Sequence, residues 1–218
     1  TINNQQNIYC LCVFNNKLYG GGFQYGSLYE WNGVDSWALV APRLDSLTYV
    51  YDLCVFNNEL YSAVTSTLRK WNGTDSWINV AHLTQDSQIA IYCLCVFNNK
   101  LYAGTGSSGS LYEFDGVDSW TRVAGNFMTG QRAVTSLCVF NNKLYGATSG
   151  GTSTGGYLYE WNGVDSWTLA ASQLDVEHAT SRHSLCVFNN ELYAGTHPRG
   201  KLYKWNGADS WIEVAGQG

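Results

Sequence analysis

The chain has 218 residues, of which 45% are hydrophobic, 15% are aromatic and only 13% are charged. The formal net charge of −5 and the lack of a Lys/Arg cluster argue against nucleic acid and anionic membrane surfaces as partners, because both attract positively charged surfaces. No segment approaches the roughly 20 consecutive apolar residues of a membrane-spanning helix and no signal-peptide pattern is present, so we expect a soluble protein without membrane insertion.

One motif recurs five times along the chain. Its sequence is Leu-Cys-Val-Phe-Asn-Asn-(Lys/Glu)-Leu-Tyr, and successive copies are 42, 41, 43 and 48 residues apart. The copies begin at Leu11, Leu53, Leu94, Leu137 and Leu185. A period of roughly 40 to 45 residues with several short strands in each unit is typical of β-propellers. The sequence therefore predicts one all-β domain, a five-bladed β-propeller over 1–218, with repeats at approximately 10–51, 52–92, 93–135, 136–183 and 184–218.

Each repeat predicts four antiparallel strands, as the first one illustrates. Residues 10–14 are apolar on both faces, which predicts a fully buried strand. Asn15 and Asn16 follow as a two-residue loop, and Asn tolerates the positive φ that both central positions of a type I′ hairpin require. The later elements of this repeat are a second strand at 17–20, a third at 27–31, an Asn-Gly turn at 32–35 and a fourth strand at 36–40.

Large aromatic residues recur on the third and fourth predicted strands. The third-strand position holds Trp31, Trp71, Phe114, Trp161 and Trp205, and the fourth-strand position holds Trp37, Trp77, Trp120, Trp167 and Trp211. Each such side chain buries roughly 150 to 250 Å², which suits packing between neighbouring blades. We therefore expect these residues to form the core between blades rather than to stack on sugars.

Connector lengths predict how the propeller is assembled. The connectors between successive repeats contain 11 to 13 residues, and the two terminal segments taken together match that length. Each blade is therefore expected to be built from contiguous chain. The first and last blades would then meet without sharing a strand.

Five of the seven cysteines belong to the repeated motif. They are Cys12, Cys54, Cys95, Cys138 and Cys186. Equivalent positions on neighbouring blades should lie beyond the roughly 7 Å Cα separation that a disulfide allows, so we expect free thiols. The pairs Cys10/Cys12 and Cys93/Cys95 have no second pair or histidine at metal-ligand spacing, and neither a metal site nor a cofactor is predicted.

The order of strands and their residues resembles known propeller families. A buried strand, a Leu-Tyr strand with glycines at Gly20, Gly21 and Gly22, a Leu-Tyr-Glu-Trp strand and a Ser-Trp strand together resemble kelch-type repeats. Five blades, small size and high internal identity are also similar in architecture to the tachylectin-type lectins. That resemblance implies binding of N-acetylated hexosamines in repeated sites between blades.

The two sides of the predicted disc differ in sequence. The turn side carries the Asn-Asn and Asn-Gly turns, which are nearly the same in all repeats. The loop side carries the loops between second and third strands and the connectors between blades, and it holds most of the variation. Binding residues usually lie in loops on a rigid scaffold. On the loop side we predict a ligand site from Gln24, Tyr25, Asp45, Tyr49 and Arg132, which supply the polar and aromatic groups that sugars require.

An aspartate also recurs on the turn side, in the Asn-Gly turns. Its copies are Asp35, Asp75, Asp118, Asp165 and Asp209. Aspartate commonly starts turns, which explains the repetition without a ligand. Five equivalent polar pockets are the alternative.

The sequence favours binding over catalysis. None of the four histidines recurs between repeats, and no hydrolase, metalloprotease or phosphate-loop motif is present, so no catalytic residue is predicted. The favoured function is multivalent carbohydrate binding by the loop side or by pockets between blades, with glycans or glycoproteins as partners and a monomeric protein. The alternative is a non-enzymatic protein-interaction or structural scaffold built from recently amplified or engineered repeats.

Overall fold

The fold is an all-β, five-bladed β-propeller, as the repeats predict. The computed structural model describes residues 7–22, 25–42, 48–85, 90–106, 109–125, 131–150, 156–174, 183–197 and 200–216. Within these ranges twenty strands form five four-stranded sheets. Each sheet consists of four strands that are consecutive in the chain, so the prediction that blades do not share strands is confirmed for the strands described.

The strands follow one another in the same order in every blade. Blade one contains β1 (Ile8–Phe14), β2 (Lys17–Gly22), β3 (Leu28–Trp31) and β4 (Trp37–Ala41). Blade two contains β5 (Val50–Phe56), β6 (Glu59–Val64), β7 (Thr67–Trp71) and β8 (Trp77–His82). Blade three contains β9 (Ile91–Phe97), β10 (Lys100–Thr105), β11 (Leu111–Phe114) and β12 (Trp120–Ala124). Blade four contains β13 (Gln131–Phe140), β14 (Lys143–Gly150), β15 (Leu158–Trp161) and β16 (Trp167–Ala171). Blade five contains β17 (His183–Phe188), β18 (Glu191–Thr196), β19 (Leu202–Trp205) and β20 (Trp211–Ala215).

The chain forms two compact units, each with its own hydrophobic core. The first comprises residues 1–101 and 114–120, and the second comprises residues 102–113 and 121–218. In the first unit, Tyr19 and Leu28 of blade one pack with Leu60 of blade two. In the second, Tyr145 of blade four packs with Leu192 of blade five. Neighbouring blades inside a unit therefore share one core, which a single half-buried sheet could not form alone.

The two-residue Asn-Asn turns have the predicted backbone conformation. In all five blades the first Asn has φ between 47° and 48° and the second between 58° and 60°. Asn is one of the few residues with a side chain that visits this left-handed region readily, and two positive φ values match the right-handed twist of the flanking strands. The repeated Asn pairs are thus explained by the hairpin.

The Asn-Gly turns are organised by asparagine, not by the aspartate that we expected to start them. The Oδ1 atom of Asn32 accepts the backbone N–H groups of residues 34, 35 and 36 at 2.9, 3.0 and 3.1 Å. Its Nδ2 group donates to Asp35 Oδ1 at 3.1 Å. Asp115 replaces this Asn in blade three, accepts the same three N–H groups and has its pKa lowered to about 2, chiefly by the Ser119 hydroxyl. The side chains of Asp35, Asp75, Asp165 and Asp209 are therefore bound inside their own turns.

The recurrent aromatic residues pack between strands and between blades. Trp31 and Trp37 are directly opposite on β3 and β4, with ring centroids 5.4 Å apart. Trp71 of blade two lies 5.1 Å from Tyr19 of blade one, and Trp205 of blade five lies 5.4 Å from Tyr145 of blade four. These are ordinary tilted aromatic contacts. The predicted role of the tryptophans in the core is confirmed for these pairs.

All seven cysteines are free thiols, and only Cys93 is fully buried.

Among the described residues, no helix is long and apolar enough to cross a membrane.

The positive φ of the turns gives a stability test at Asn99, which has φ 58°. Replacing Asn99 by Ala should lower the free energy of unfolding by about 1 kcal/mol, since a Cβ without a local hydrogen-bonding group is disfavoured in the left-handed region. Replacing it by Gly should cost little, because Gly adopts positive φ freely. Urea unfolding followed by tryptophan fluorescence measures both. Equal losses for Ala and Gly would contradict this explanation of the turn.

Candidate functional site

A tyrosine, a glutamate and a lysine form a repeated hydrogen-bonded group near the turn side of the blades. In blade one, Lys17 Nζ lies 2.9 Å from Glu30 Oε1, and the Tyr19 hydroxyl donates to Glu30 Oε2 at 3.0 Å. Blade four repeats the arrangement with Lys143, Glu160 and Tyr145 at 2.8 and 3.1 Å. The antiparallel register of the second and third strands brings these residues together, because it places Tyr19 opposite Glu30.

In blades two and five the charges of this group are reversed. Glu59 takes the second-strand position and pairs with Lys70 at 2.9 Å, while the Tyr61 hydroxyl donates to the same Glu59 at 3.1 Å. Glu191, Lys204 and Tyr193 do the same in blade five. In these four blades the tyrosine hydroxyl therefore donates to the glutamate, whether the glutamate is on the second or the third strand. Burial, followed by the adjacent carboxylate, raises the pKa of Tyr19, Tyr61 and Tyr145 to about 12, so all three stay protonated donors at neutral pH.

A cleft opens between blades one and two beside this group. Its volume is about 380 Å³. Blade one lines it with Phe14, Asn15, Lys17 and Tyr19, and blade two lines it with Asn58, Glu59, Leu60, Trp71, Asn72 and Gly73. The rings of Phe14, Tyr19 and Trp71 form a continuous aromatic cluster with centroids 5.1 to 6.4 Å apart. One wall is thus aromatic, and the mouth is formed by turn amides and charged groups.

The second unit contains the same cleft between blades four and five. Its volume is about 490 Å³, and its lining includes Phe140, Asn141, Lys143, Tyr145 and Trp205. These residues occupy the repeat positions of Phe14, Asn15, Lys17, Tyr19 and Trp71. Phe140, Tyr145 and Trp205 form the same aromatic cluster, with centroids 5.4 to 6.4 Å apart. Clefts therefore lie at these two boundaries between blades, on the turn side, and their role as ligand pockets stays a prediction.

The charged groups in both clefts are balanced. Lys17 pairs with Glu30, Glu59 pairs with Lys70, and Lys143 pairs with Glu160. The indole Nε1 atoms of Trp71 and Trp205 are buried and have no hydrogen-bond partner among the described residues. Each cleft thus offers aromatic surface, asparagine amides and a neutral charge balance, which suits an uncharged ligand with both apolar and hydroxyl surface.

The loop-side residues predicted from the sequence are only partly brought together. Gln24 and Asp45 lie outside the described residues. Tyr25 is half-buried with φ 76°, which is unusual for a bulky residue, and the next residue, Gly26, donates its N–H to the Thr48 carbonyl at 2.9 Å. Because Tyr49 follows Thr48, this bond places the backbone segments of Tyr25 and Tyr49 side by side. Arg132 is exposed on β13, in the second unit.

Tyr49 belongs to a group of four tyrosines that the sequence analysis did not identify. Its ring lies 5.8 Å from Tyr51, and Tyr51 lies 6.2 Å from Tyr9 and 5.1 Å from Tyr92. Burial and the neighbouring phenols raise the pKa of Tyr51 to about 12. The sequence could have predicted this group, because Tyr9, Tyr51 and Tyr92 occupy the same position in three consecutive repeats, two residues before the repeated Leu.

Comparisons with known proteins identify the architecture only. No family model matches the chain, and no curated protein matches it. Among solved structures, the computationally designed Ika8 protein is 17% identical with a TM-score of 0.58, over 98% of this chain and 62% of that one. YjhT is 12% identical with a TM-score of 0.71, over 97% of this chain and 84% of that one. A luciferin-regenerating enzyme is 11% identical with a TM-score of 0.66, over 92% of this chain and 72% of that one.

At these identities the comparisons support the propeller fold and no particular function. This chain spans 62% of the length of the designed protein. The kelch-like and tachylectin-like resemblances stay predictions. Propellers of this shape include an enzyme, so the expectation that this chain is not one also stays a prediction. Within the described ranges, no three His, Cys, Asp or Glu side chains lie together in a group that could hold a metal ion.

The reversed charge pairs predict that Lys143 and Glu160 can exchange places. Lys143→Glu or Glu160→Lys alone should each place like charges together and lower the free energy of unfolding. The double variant recreates the arrangement of Glu59 and Lys70 and should recover most of the loss. For a partly exposed pair, a double-mutant cycle in urea should give a coupling of about 0.5 kcal/mol that weakens with added salt. Additive single losses with no recovery would show that the pair is not coupled.

Proposed function

We propose that this chain is a multivalent carbohydrate-binding propeller whose principal sites are the turn-side clefts between blades. The observation that carries the proposal is the recurrence of one cleft, with the same aromatic cluster, asparagine and charge pair, in both compact units. Turn chemistry explains the Asn pairs and core packing explains the aromatic rings. Neither explains why an open cleft of several hundred cubic ångströms recurs beside them.

The chemistry of the cleft suits a sugar. A pyranose ring has an apolar C–H face that packs on aromatic side chains and hydroxyl groups that need planar hydrogen-bond partners. The partly exposed rings of Phe14 and Trp71 offer the first, while Tyr19 is only 2% exposed and supports them from the core. The amides of Asn15 and Asn58 offer the second. Because Lys17 and Glu59 are each neutralised by a partner, the cleft favours uncharged sugars over acidic ones. Glycans or glycoproteins are the proposed partners.

Weak individual sites are sufficient for this function. Open clefts that leave much of a monosaccharide exposed to water should bind it weakly. Two or more such sites on one chain can raise the overall affinity for a multivalent surface by 10² to 10⁴ without any new contact. We propose binding without catalysis, since the charged groups of the clefts are held in ion pairs.

On the loop side, Tyr25 and Tyr49 of the first unit and Arg132 of the second, with Gln24 and Asp45, stay in the proposal as individual sugar contacts. The backbone bond between Gly26 and Thr48 and the contact of Tyr49 with Tyr51 support an aromatic surface there. Such a surface could distinguish one glycan from another, because its residues vary among blades.

A protein-interaction scaffold is the second candidate function. Three turn tips present strongly exposed apolar side chains, namely Val34 at 79%, Val117 at 72% and Val164 at 71% exposure. Repeated apolar tips on one side favour contact with another protein surface more than they favour a sugar. The two functions are separable by experiment, because the tips and the clefts involve different residues.

Binding to a printed glycan array followed by competition with the free monosaccharide tests the proposal. The Trp71→Phe and Trp205→Phe variants should keep the fold, since Phe114 occupies this position in blade three. Each should weaken the monosaccharide affinity of its own cleft about fivefold, because the larger indole contact is worth about 1 kcal/mol. Titration calorimetry with the competing sugar measures this.

Val34→Ser serves as the matched control, because it changes an exposed tip on the same side and should leave sugar affinity unchanged. A blank array would contradict carbohydrate binding. Loss of sugar binding in Val34→Ser with full binding in both Phe variants would contradict the clefts as sites and move the sugar site to the turn tips.

A further inference from the structure

The residue before the repeated Leu lies at the junction between neighbouring first strands. Across the five repeats this position holds Cys10, Asp52, Cys93, Ser136 and Ser184. Only one of these five side chains carries a carboxyl group. Asp52 is therefore the exception within a framework that is otherwise repeated closely.

Asp52 joins blade two to blade three through its carboxylate. Its Oδ1 atom accepts the N–H of Leu53 on its own strand at 2.8 Å, and its Oδ2 atom accepts the N–H of Leu94 on β9 at 2.7 Å. Both strands belong to the first unit. Leu94 is the repeated Leu of the next blade. The Asp52 side chain therefore connects β5 to β9, the first strands of two neighbouring blades.

Blades four and five make the same bond with a neutral group. The Ser136 hydroxyl oxygen accepts the N–H of Leu185, the repeated Leu of blade five, at 3.0 Å. Asp52 and Ser136 thus occupy one structural position and bind the same backbone group. The bond itself does not require a charge, so the charge of Asp52 is an added property of one junction.

Among the described residues, the groups that face Asp52 supply no compensating positive charge. The thiols of Cys10 and Cys12 on β1 and of Cys54 on its own strand lie close enough for the Asp52 charge to contribute to their raised pKa values. Burial raises the pKa of all three thiols, to about 11 for Cys12, so they stay neutral at physiological pH. On β9 the backbone N–H of Leu94 donates to the carboxyl, and on β6 Ala63 is the register partner of Asp52. Asp52 keeps part of its surface exposed, which lets a proton exchange with water.

We propose that Asp52 makes the junction between β5 and β9 sensitive to pH, holding the two strands together most firmly when its carboxyl is protonated and allowing local opening when it is ionised.

The direction of the effect follows from proton linkage. Burial raises the pKa of Asp52 from 3.8 to about 7, with the two backbone N–H groups opposing the rise. The closed junction therefore binds the proton more tightly than an opened, hydrated one. The stabilisation is fully present below about pH 4, falls as the pH rises towards 7 and changes no further above that. The opening equilibrium constant should rise up to tenfold per pH unit across this window.

Two measurements on the unaltered protein and one variant test the proposal. Carboxyl NMR of protein labelled with ¹³C-aspartate should show one group that titrates near neutrality and is absent in Asp52→Ser. Hydrogen exchange of the Leu94 amide, corrected for intrinsic rate, should report an opening constant that rises from about pH 4 to about pH 7 and then levels. In Asp52→Ser, which copies Ser136, that rise should disappear while the amide stays protected.

Two further variants provide matched controls. Asp75→Asn changes an exposed turn aspartate and should leave the pH dependence at Leu94 intact. Ser136→Asp should introduce a similar pH dependence at the Leu185 amide. Ionisation of Asp52 near pH 4 would overturn the proposal. An identical pH dependence of Leu94 exchange in the unaltered protein and in Asp52→Ser would also overturn it, whatever Ser136→Asp does.

Discussion

The contact between a tyrosine of one blade and an indole of the next is the constraint on which the other features depend. A four-stranded sheet has two faces and cannot bury both by itself, so each blade needs a neighbour on either side. Tyr19 against Trp71, and Tyr145 against Trp205, supply that contact within the two units. Both rings are large and rigid, so they fix the distance between sheets. The polar groups around them must fit that distance.

The charged group follows from this contact. A tyrosine in the inter-blade core must still satisfy its hydroxyl, and Glu30 does so for Tyr19. Glu30 is only partly exposed, and Lys17 pairs with it at 2.9 Å. Blades two and five keep the same three groups with the lysine and glutamate exchanged. Because the two residues can be exchanged, the structure needs one lysine and one glutamate in this group, and either strand can carry either charge.

Sequence reasoning predicted the positions of the repeated strands, the Asn-Asn hairpins and the aromatic core, which follow from local pattern and composition. It missed the repeated tyrosines and the contacts that depend on register or on single loops. The prediction that the first strand is fully buried is wrong, because Leu11 and Val13 are 57% and 67% exposed. The Lys17–Glu30 pair needed the strand register, although its reversal at Glu59 and Lys70 was visible in the sequence. The proximity of the backbone segments of Tyr25 and Tyr49 depends on one backbone bond, Gly26 to Thr48, which no periodicity encodes. Gln24 and Asp45 lie outside the described residues, so their part of the site stays a prediction.

The turn side and the loop side of the blades differ in how freely their residues can change, and this difference affects which ligands the protein could bind. On the turn side the framework itself forms the clefts, so any change that improves one cleft also alters the core between blades. On the loop side the residues can change without disturbing the aromatic contacts. For the proposed carbohydrate binding, selectivity among glycans is therefore expected to evolve on the loop side, while the number of equivalent clefts would set the overall affinity for a glycan-covered surface.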